Sequence, residues 1–523
     1  MSVVPSIRTT GLRTSLPEDR GQDLILPDDA HNRALVANVH PPAWVNPEPT
    51  GCYNLVVVGA GTAGLVSAAG AAGLGAKVAL VERHLLGGDC LNFGCVPSKG
   101  ILRSAHAVHD VRTAASFGVQ VDGVVRVDFG AAMARMRGLR AGISRNDSVH
   151  RLTALGVDVY LGEARFLAGE TLEVGGCRLR FKRAVLATGA RAAGLPVPGL
   201  AEAGYLTNET VFSLTELPRR LVVIGAGPIG CELAQAFRRF GSEVTVVSLD
   251  ERLLPREDED AAAIVTARFE KEGVNLALGA RLVRVAREGA SKVVAFDRGR
   301  GEEQVAGDEV LVAVGRAPNV EALGLEAAGI EFDRFGVKVD DRLRTTNRRV
   351  YAAGDICSVH KFTHAADAMA RVVLQNALFF GRKKASALRI PWCTYTDPEV
   401  AHVGLYEKEA VAKGLDVRTH TVELAEVDRA ILDGEAEGFA RVHVDARSGH
   451  ILGATLVARH AGDMLGEVVL AMNEGHRIDA LSRAIAPYPT QGEVWKRLGD
   501  AHQRLRLTPR LKRWLARWFS LGR

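Results

Sequence analysis

Short apolar runs, each closing in a glycine-rich turn, set the rhythm of this chain. The first, Leu55-Val56-Val57-Val58, enters Gly59-Ala60-Gly61-Thr62-Ala63-Gly64 and then a stretch of small residues. An unbroken apolar run bounded by turn residues predicts a strand buried on both faces, and the small residues predict a helix. Lys77-Val78-Ala79-Leu80-Val81-Glu82 predicts the next strand, closed by an acid. The pattern returns at Arg220-Leu221-Val222-Val223-Ile224-Gly225-Ala226-Gly227-Pro228-Ile229-Gly230. A helix and the strand Glu243-Val244-Thr245-Val246-Val247-Ser248 follow. Strands alternating with helices predict parallel sheets. From Pro391 the reading changes to α+β, with antiparallel strands at Gly438–Val444 and Ile451–Leu456 about a turn at Arg447-Ser448-Gly449. Residues 1–50, rich in Pro, Asp and Asn with weak periodicity, read as an extended arm. At the far end, Thr508-Pro509 predicts a helix start. Leu511, Trp514, Leu515, Trp518 and Phe519 then fall on one apolar stripe, with Arg510, Lys512, Arg513 and Arg517 on the rest.

At 523 residues the chain exceeds one ordinary core and predicts three or four domains. Its 47% hydrophobic and 24% charged residues are the composition of a soluble globular protein. Seven cysteines form no regular framework, which disfavours a secreted disulfide scaffold and favours a reducing cytoplasm with one catalytic pair. No apolar run reaches the ~20 residues of a membrane span. The N-terminus lacks the apolar core of a signal peptide. A cytoplasmic location is therefore expected. The net charge of +5 is local: residues 501–523 hold seven cations and no acid, and without them the chain stands near −2. That argues against a nucleic-acid surface and for a specialised tail.

The glycine turns carry chemistry. Gly59, Gly61 and Gly64 follow a strand and open a helix, and Glu82 lies 18 residues beyond the last of them. Such glycines let the backbone approach a pyrophosphate at the helix N-terminus, and the acid can accept from ribose hydroxyls. Gly225, Gly227 and Gly230 repeat the arrangement, so two dinucleotides are expected, one a carrier and one a bound relay. Close behind the first fingerprint comes Cys90-Leu91-Asn92-Phe93-Gly94-Cys95-Val96-Pro97-Ser98-Lys99. Two cysteines beside a dinucleotide predict a redox-active dithiol with its electron source at hand.

This run resembles the redox segment of the class I pyridine nucleotide-disulfide oxidoreductases, which include dihydrolipoyl dehydrogenase, glutathione reductase and mercuric reductase. Ala187-Thr188-Gly189-Ala190, Val314-Gly315-Arg316-Ala317-Pro318-Asn319 and Val350–Ile356 resemble the segments through which that family's FAD domain resumes after an inserted NAD(P) domain. The resemblance spans residue 51 to about residue 500. It implies an α/β fold with two Rossmann-like domains, the FAD domain discontinuous, and a C-terminal α+β dimerisation domain. The implied division is an arm at 1–50, FAD domain at 51–195 and 316–388, NAD(P) domain at 196–315, dimerisation domain at 389–505 and a basic amphipathic tail at 506–523. It further implies FAD and NADPH or NADH as cofactors, and a homodimer. Electrons would pass from NAD(P)H through FAD to the Cys90–Cys95 disulfide. By resemblance Cys95 is the thiol beside the flavin, Cys90 the interchange thiol, Lys99 the flavin-side lysine paired with Glu232, and Asp355 a ligand of the ribityl chain. Thr188, Gly189 and Gly315 join the cofactor-binding set.

One position departs from most of the family. Where dihydrolipoyl dehydrogenases and glutathione reductases place a His-Pro-Thr motif, this chain has Tyr488-Pro489-Thr490, with Glu493 five residues on. A tyrosine, titrating near ~10, is a poor proton shuttle at neutral pH. Exchange with an organic disulfide should suffer, whereas a soft metal ion that binds thiolates directly needs less proton traffic. Mercuric reductases carry tyrosine here as well. Their N-terminal C-x-x-C domain and C-terminal vicinal cysteines have no counterpart, since residues 1–50 hold no cysteine and none follows Cys393. The expectation is a mercuric reductase-like NAD(P)H oxidoreductase passing electrons to a small-molecule or metal-ion acceptor. The alternatives are a dihydrolipoyl dehydrogenase-type enzyme, or a redox sensor touching a membrane surface through its tail. Ser248 ends the second unit's strand where an NAD-binding acid would stand, which tilts coenzyme choice toward NADPH, with Arg252 and Arg256 within reach. Cys52, Cys177, Cys231, Cys357 and Cys393 read as buried free thiols. His364 is a candidate for the layer behind the flavin.

Overall fold

The computed structural model describes residues 24–521. The extended arm expected up to residue 23, and Arg523, lie outside them. In the first domain, Cys52–Val58 runs parallel between Val78–Glu82 and Cys177–Leu186, with Val157–Leu161 beyond Val78–Glu82. Both faces of the central strand are covered. Leu55 and Val57 pack in the cluster that holds the small-residue helix Thr62–Gly73 and the helix Thr363–Leu378. Val56 and Val58 face a second cluster with Tyr160, Phe166 and Leu179. An unbroken apolar run is the sequence form of that double burial. The strand Cys177–Leu186 pairs with an antiparallel meander through its first half and with the late strand Val350–Ala352 through its second. The carboxyl ends Val58, Glu82, Leu186 and Ala352 therefore meet at one edge of the sheet, where open α/β sheets bind ligands.

The second unit repeats the scheme. Asn275–Ala277, Glu243–Val247, Arg220–Ile224 and Glu309–Val312 form a parallel sheet, and three antiparallel strands between residues 281 and 307 form a second. The chain enters and leaves this unit through Ala190–Ala192 and Arg316–Pro318, which pair antiparallel. A five-stranded antiparallel sheet between Trp392 and Ala458, ordered Trp392–Thr394, Glu399–Gly404, Ile451–Ala458, Phe439–Asp445, Val417–Glu423, builds the C-terminal domain.

The N-terminal segment corrects the sequence reading. Ala30–Val39 is a helix, capped by Asp29, with Leu35 and Val39 fully buried in the first domain's core. Weak periodicity hid it because only Asn32, Leu35 and Val39 turn inward. The expected C-terminal helix is present as Pro509–Ser520, with the Thr508 hydroxyl accepting from the Leu511 amide at 3.2 Å. None of its residues is buried.

Candidate active site

Cys90 rides on the short helix Gly88–Asn92, entered through Gly87 and Gly88 at φ +90° and +57°. Cys95 is the first residue of the helix Cys95–Thr113, whose N-cap Gly94 supplies no side-chain bond. Free amides at a helix start favour an anionic sulfur. A hydrogen bond from Cys90 pulls the Cys95 thiol down to about 6, against burial, with Thr363 and the charge of Lys99 acting in the same direction. The same contact, with burial, pushes Cys90 up. The Thr363 hydroxyl, from the first turn of Thr363–Leu378, lies 3.5 Å from Cys95 Sγ. Four residues after Cys95, Lys99 Nζ meets Glu232 Oε2 at 2.7 Å and sits 4.3 Å from the centre of the Tyr395 ring. Glu232 is 8% exposed, and its other oxygen accepts the Tyr395 amide at 3.0 Å. The expected Lys99–Glu232 pair is thus formed across the two nucleotide units, with the C-terminal domain closing over it.

Both glycine turns have the shape a dinucleotide needs. A Cβ at Gly59 would lie 2.4 Å from the Ala187 carbonyl oxygen, and one at Gly64 only 1.8 Å from that of Gly59. The helix Thr62–Gly73 starts at Gly61 without a side-chain cap. Glu82 is half-buried at the strand end, accepting from the Ala60 and His84 amides at 2.7 and 2.8 Å. Burial outweighs those bonds and raises its pKa. In the second unit a Cβ at Gly230 would lie 2.2 Å from the Gly225 carbonyl oxygen, and Gly227 starts the helix Pro228–Phe240 with open space beside it. These cradles, backed by uncapped helix starts, fit FAD and NAD(P)H respectively.

The connecting segments converge as well. Thr188 and Asn319 exchange bonds of 2.9 and 2.8 Å, and the Asn319 amide donates to the Gly189 carbonyl at 3.0 Å. Gly189 and Gly315 take φ of +66° and +72° beside the paired crossings. Arg316 stands 3.2 Å from Asp89 and 3.6 Å from Asp355, tying the redox loop to the third segment. Burial raises the Asp355 carboxyl, opposed by Arg316 and Lys361.

Other expected residues are placed differently. Ser248 is buried and its hydroxyl donates to Asp250 at 3.1 Å. Arg252 is spent on the Pro255 and Glu257 carbonyls and on Glu259. His364 bonds the Pro391 carbonyl at 2.6 Å. Cys52 is exposed rather than buried, because it opens its strand at the surface. Tyr488 is 72% exposed, and its hydroxyl donates to Asp428 at 2.9 Å. Glu493, expected to serve position 488, is instead held by Arg497 at 3.2 Å. Among the described residues no contact joins Tyr488 to either thiol of its own chain. Thr363, Tyr395, Asp428 and the carboxyl of Glu399 escaped the sequence reading. Glu399 approaches Cys393 Sγ at 3.8 Å and is raised by burial to about 7.

Residues 53–370 match the sequence profile of the pyridine nucleotide-disulphide oxidoreductases, and residues 390–498 match that family's dimerisation domain. The chain belongs to this family. It is an oxidoreductase of the FAD- and NAD(P)H-dependent kind, with an α/β fold, and its dimerisation domain supports a homodimer. A mercuric reductase of Lysinibacillus sphaericus is 36% identical over 445 residues, covering 85% of this chain and 81% of the relative. A dihydrolipoyl dehydrogenase of Thermus scotoductus is 33% identical over 464 residues, covering 84% and 95%. Among solved structures, the HOCl-induced flavoprotein disulfide reductase RclA of Escherichia coli superposes with a TM-score of 0.77 at 29% identity, over 86% of this chain and 99% of that one. Its Cu(II) complex matches at the same TM-score and 28% identity. Among the described residues no helix is long and apolar enough to cross a membrane.

Proposed function

We propose that the enzyme carries electrons from NAD(P)H to a thiol-reactive acceptor, a soft metal ion before an organic disulfide, through Cys90 and Cys95. The observation that carries this reading is the thiol pair at the first nucleotide edge, with a helix start and Lys99 drawing charge to Cys95 alone. FAD, when bound, would supply the two-electron relay between the nicotinamide and the disulfide. Two electrons and one proton cleave the S–S bond and leave a thiol and a thiolate. Cys95, held low, keeps the charge, and Cys90, held high, keeps the proton. Lys99 offsets the thiolate, and Glu232 fixes Lys99 in place. An acceptor bound at Cys90 takes the pair of electrons, the proton leaves and the disulfide re-forms. Gly59, Gly61, Gly64, Glu82, Thr188, Gly189 and Asp355 would hold FAD. Gly225, Gly227, Gly230, Ser248 and Gly315 would hold the coenzyme, with Asp250 already engaging the Ser248 hydroxyl.

Two findings favour the metal-ion acceptor. Tyr488 cannot exchange protons at neutral pH as a histidine does, and its bond to Asp428 raises its pKa further. A related reductase has been solved with Cu(II). Dihydrolipoyl dehydrogenase chemistry is the competing assignment. The test is NADPH and NADH consumption with Hg(II), Cu(II), glutathione disulfide and lipoamide. Turnover of the metal ions at rates at least tenfold above the disulfides supports the reading; the opposite order overturns it. Coenzyme preference falls to NADPH only weakly, since Asp250 occupies the Ser248 hydroxyl and Arg252 is committed elsewhere.

The helix Pro509–Ser520 leaves Trp514, Trp518 and Phe519 exposed, the two indoles stacked 5.8 Å apart, beside four cations and no acid. That is the composition of a helix lying on an anionic lipid surface. The tail holds the enzyme peripherally on such a membrane.

A further inference from the structure

The N-terminal segment lies outside the matched family profile, which begins at residue 53. It is nonetheless bound into the redox loop. Asn32, 2% exposed on the helix Ala30–Val39, accepts from Arg140 Nη2 at 2.7 Å. Arg140, 1% exposed, donates through Nη1 at 2.7 Å to the carbonyl of Asn92, which lies between Cys90 and Cys95. Burial lowers Arg140 to about 10, so it remains a cation at neutral pH. The neighbouring Arg137 pairs with the N-cap Asp29 at 2.5 Å, fixing the same helix from its start.

Further bonds reach the loop's entry. The Leu86 amide donates to the Val39 carbonyl at 3.2 Å. His84 contacts the Leu24 carbonyl at 3.1 Å, and its own carbonyl meets the His40 ring. The His84 ring stacks on Phe93, 5.9 Å away, and Phe93 also lies between the cysteines. Asn92 spends its side-chain amide on the Leu86 and Gly88 carbonyls. The loop's own bonds leave the Asn92 carbonyl to Arg140. Beyond the loop, the segment is pinned to the edge strand by Trp44 on the Val159 carbonyl and by the reciprocal pair Asn46–Leu161.

We propose that residues Leu24–His40 form a brace that fixes the Cys90–Cys95 loop, with Asn32 and Arg140 as positioning residues for the dithiol. The brace rests on the electron-relay reading for its purpose, but its physical claim is about the loop. A buried guanidinium that loses an acceptor must shift or draw in water, and its hold on Asn92 loosens. A local opening that costs one charged hydrogen bond less becomes roughly tenfold more populated.

The test uses the full-length holoenzyme with two readouts: amide exchange across residues 86–94, and the long-wavelength absorbance of the reduced enzyme per bound flavin. Asn32→Ala should raise exchange there about tenfold and lower the absorbance. Asn32→Asp, which keeps the acceptor for Arg140 and loses the amide that donates to the Pro27 carbonyl at 2.7 Å, should exchange more slowly across the loop than Asn32→Ala. Asn46→Ala, which frees only the edge strand, should leave both readouts of the loop unchanged. Arg140→Lys, too short a fork to serve both acceptors, gives the same expectation as Asn32→Ala should that variant not fold. Wild-type exchange in both Asn32→Ala and Arg140→Lys, or an equal effect of Asn46→Ala, overturns the brace. An absent absorbance band in the wild type contradicts the electron-relay reading instead, and the exchange readout still decides the brace.

Discussion

Cys95 and Cys90 differ in chemistry because they differ in place. The Cys90 bond, the Thr363 hydroxyl and the charge of Lys99 hold Cys95 down to about 6 against burial, whereas the Cys95 bond and burial push Cys90 up, with Thr363 opposing. A thiol is charged above its pKa, so the reduced enzyme should show its thiolate-to-flavin band at pH 8 and lose it as pH falls through about 6. Cys95→Ser should abolish the band and Cys90→Ser should keep it; equal spectra for the two variants would contradict the assignment. The two cysteines were legible because their chemistry is written in one contiguous run. Thr363 was not, because only the fold brings it to Cys95 from 268 residues away. At position 488 the sequence shows the departure from histidine but not the neighbours the fold supplies. Glu493 is taken by Arg497, and Asp428 is the acid that meets Tyr488. Tyr488→His, with Asp428 to orient the imidazole, should raise dihydrolipoamide activity by ~100-fold. A folded dimer with no gain would place position 488 away from the thiols.

The fingerprint elements were legible because their periodicity and glycines are demanded by backbone contact. Gly64→Ala puts a Cβ 1.8 Å from the Gly59 carbonyl oxygen, and neither backbone can yield without distorting the turn. Overpacking of this kind costs about 1–3 kcal/mol, so the variant should purify with little flavin and a lowered melting temperature. Full flavin content would refute the cradle. The helix Ala30–Val39 was not legible: it is short, follows a proline, and shows too few inward residues to rise above the polar background. The C-terminal helix was legible from its cap and stripe. Each cation near an anionic surface contributes ~1 kcal/mol. Full-length enzyme should therefore sediment with anionic vesicles at low salt and be released at high salt, while a form ending at Leu507 stays in solution. Equal behaviour of the two forms would remove lipid as the occupant, and a change in oligomeric state on truncation would assign the stripe to a second copy.

At the scale of the molecule, three domains meet at one ion pair. Lys99 comes from the first unit, Glu232 from the second, and Tyr395 of the C-terminal domain covers both. The order of the domains was legible from the repeated fingerprint and the resuming segments. The acceptor was not, because no contiguous run of the sequence names it, and Tyr488, the residue that departs from the family pattern, is an exposed side chain bonded to Asp428. In the proposed relay, electrons leave the enzyme through the dithiol. The most direct test of this is anaerobic mixing of NADPH-reduced enzyme with either Hg(II) at one ion per active site or Cu(II) at two, since Cu(II) accepts a single electron, followed at the flavin and thiolate bands, in the wild type and in Cys90→Ser. The account predicts that the wild type returns to its oxidised spectrum within one turnover, while Cys90→Ser, folded and flavin-loaded, stays reduced. Oxidation of both forms at the same rate would mean that electrons leave directly from the flavin, and the claim would fail.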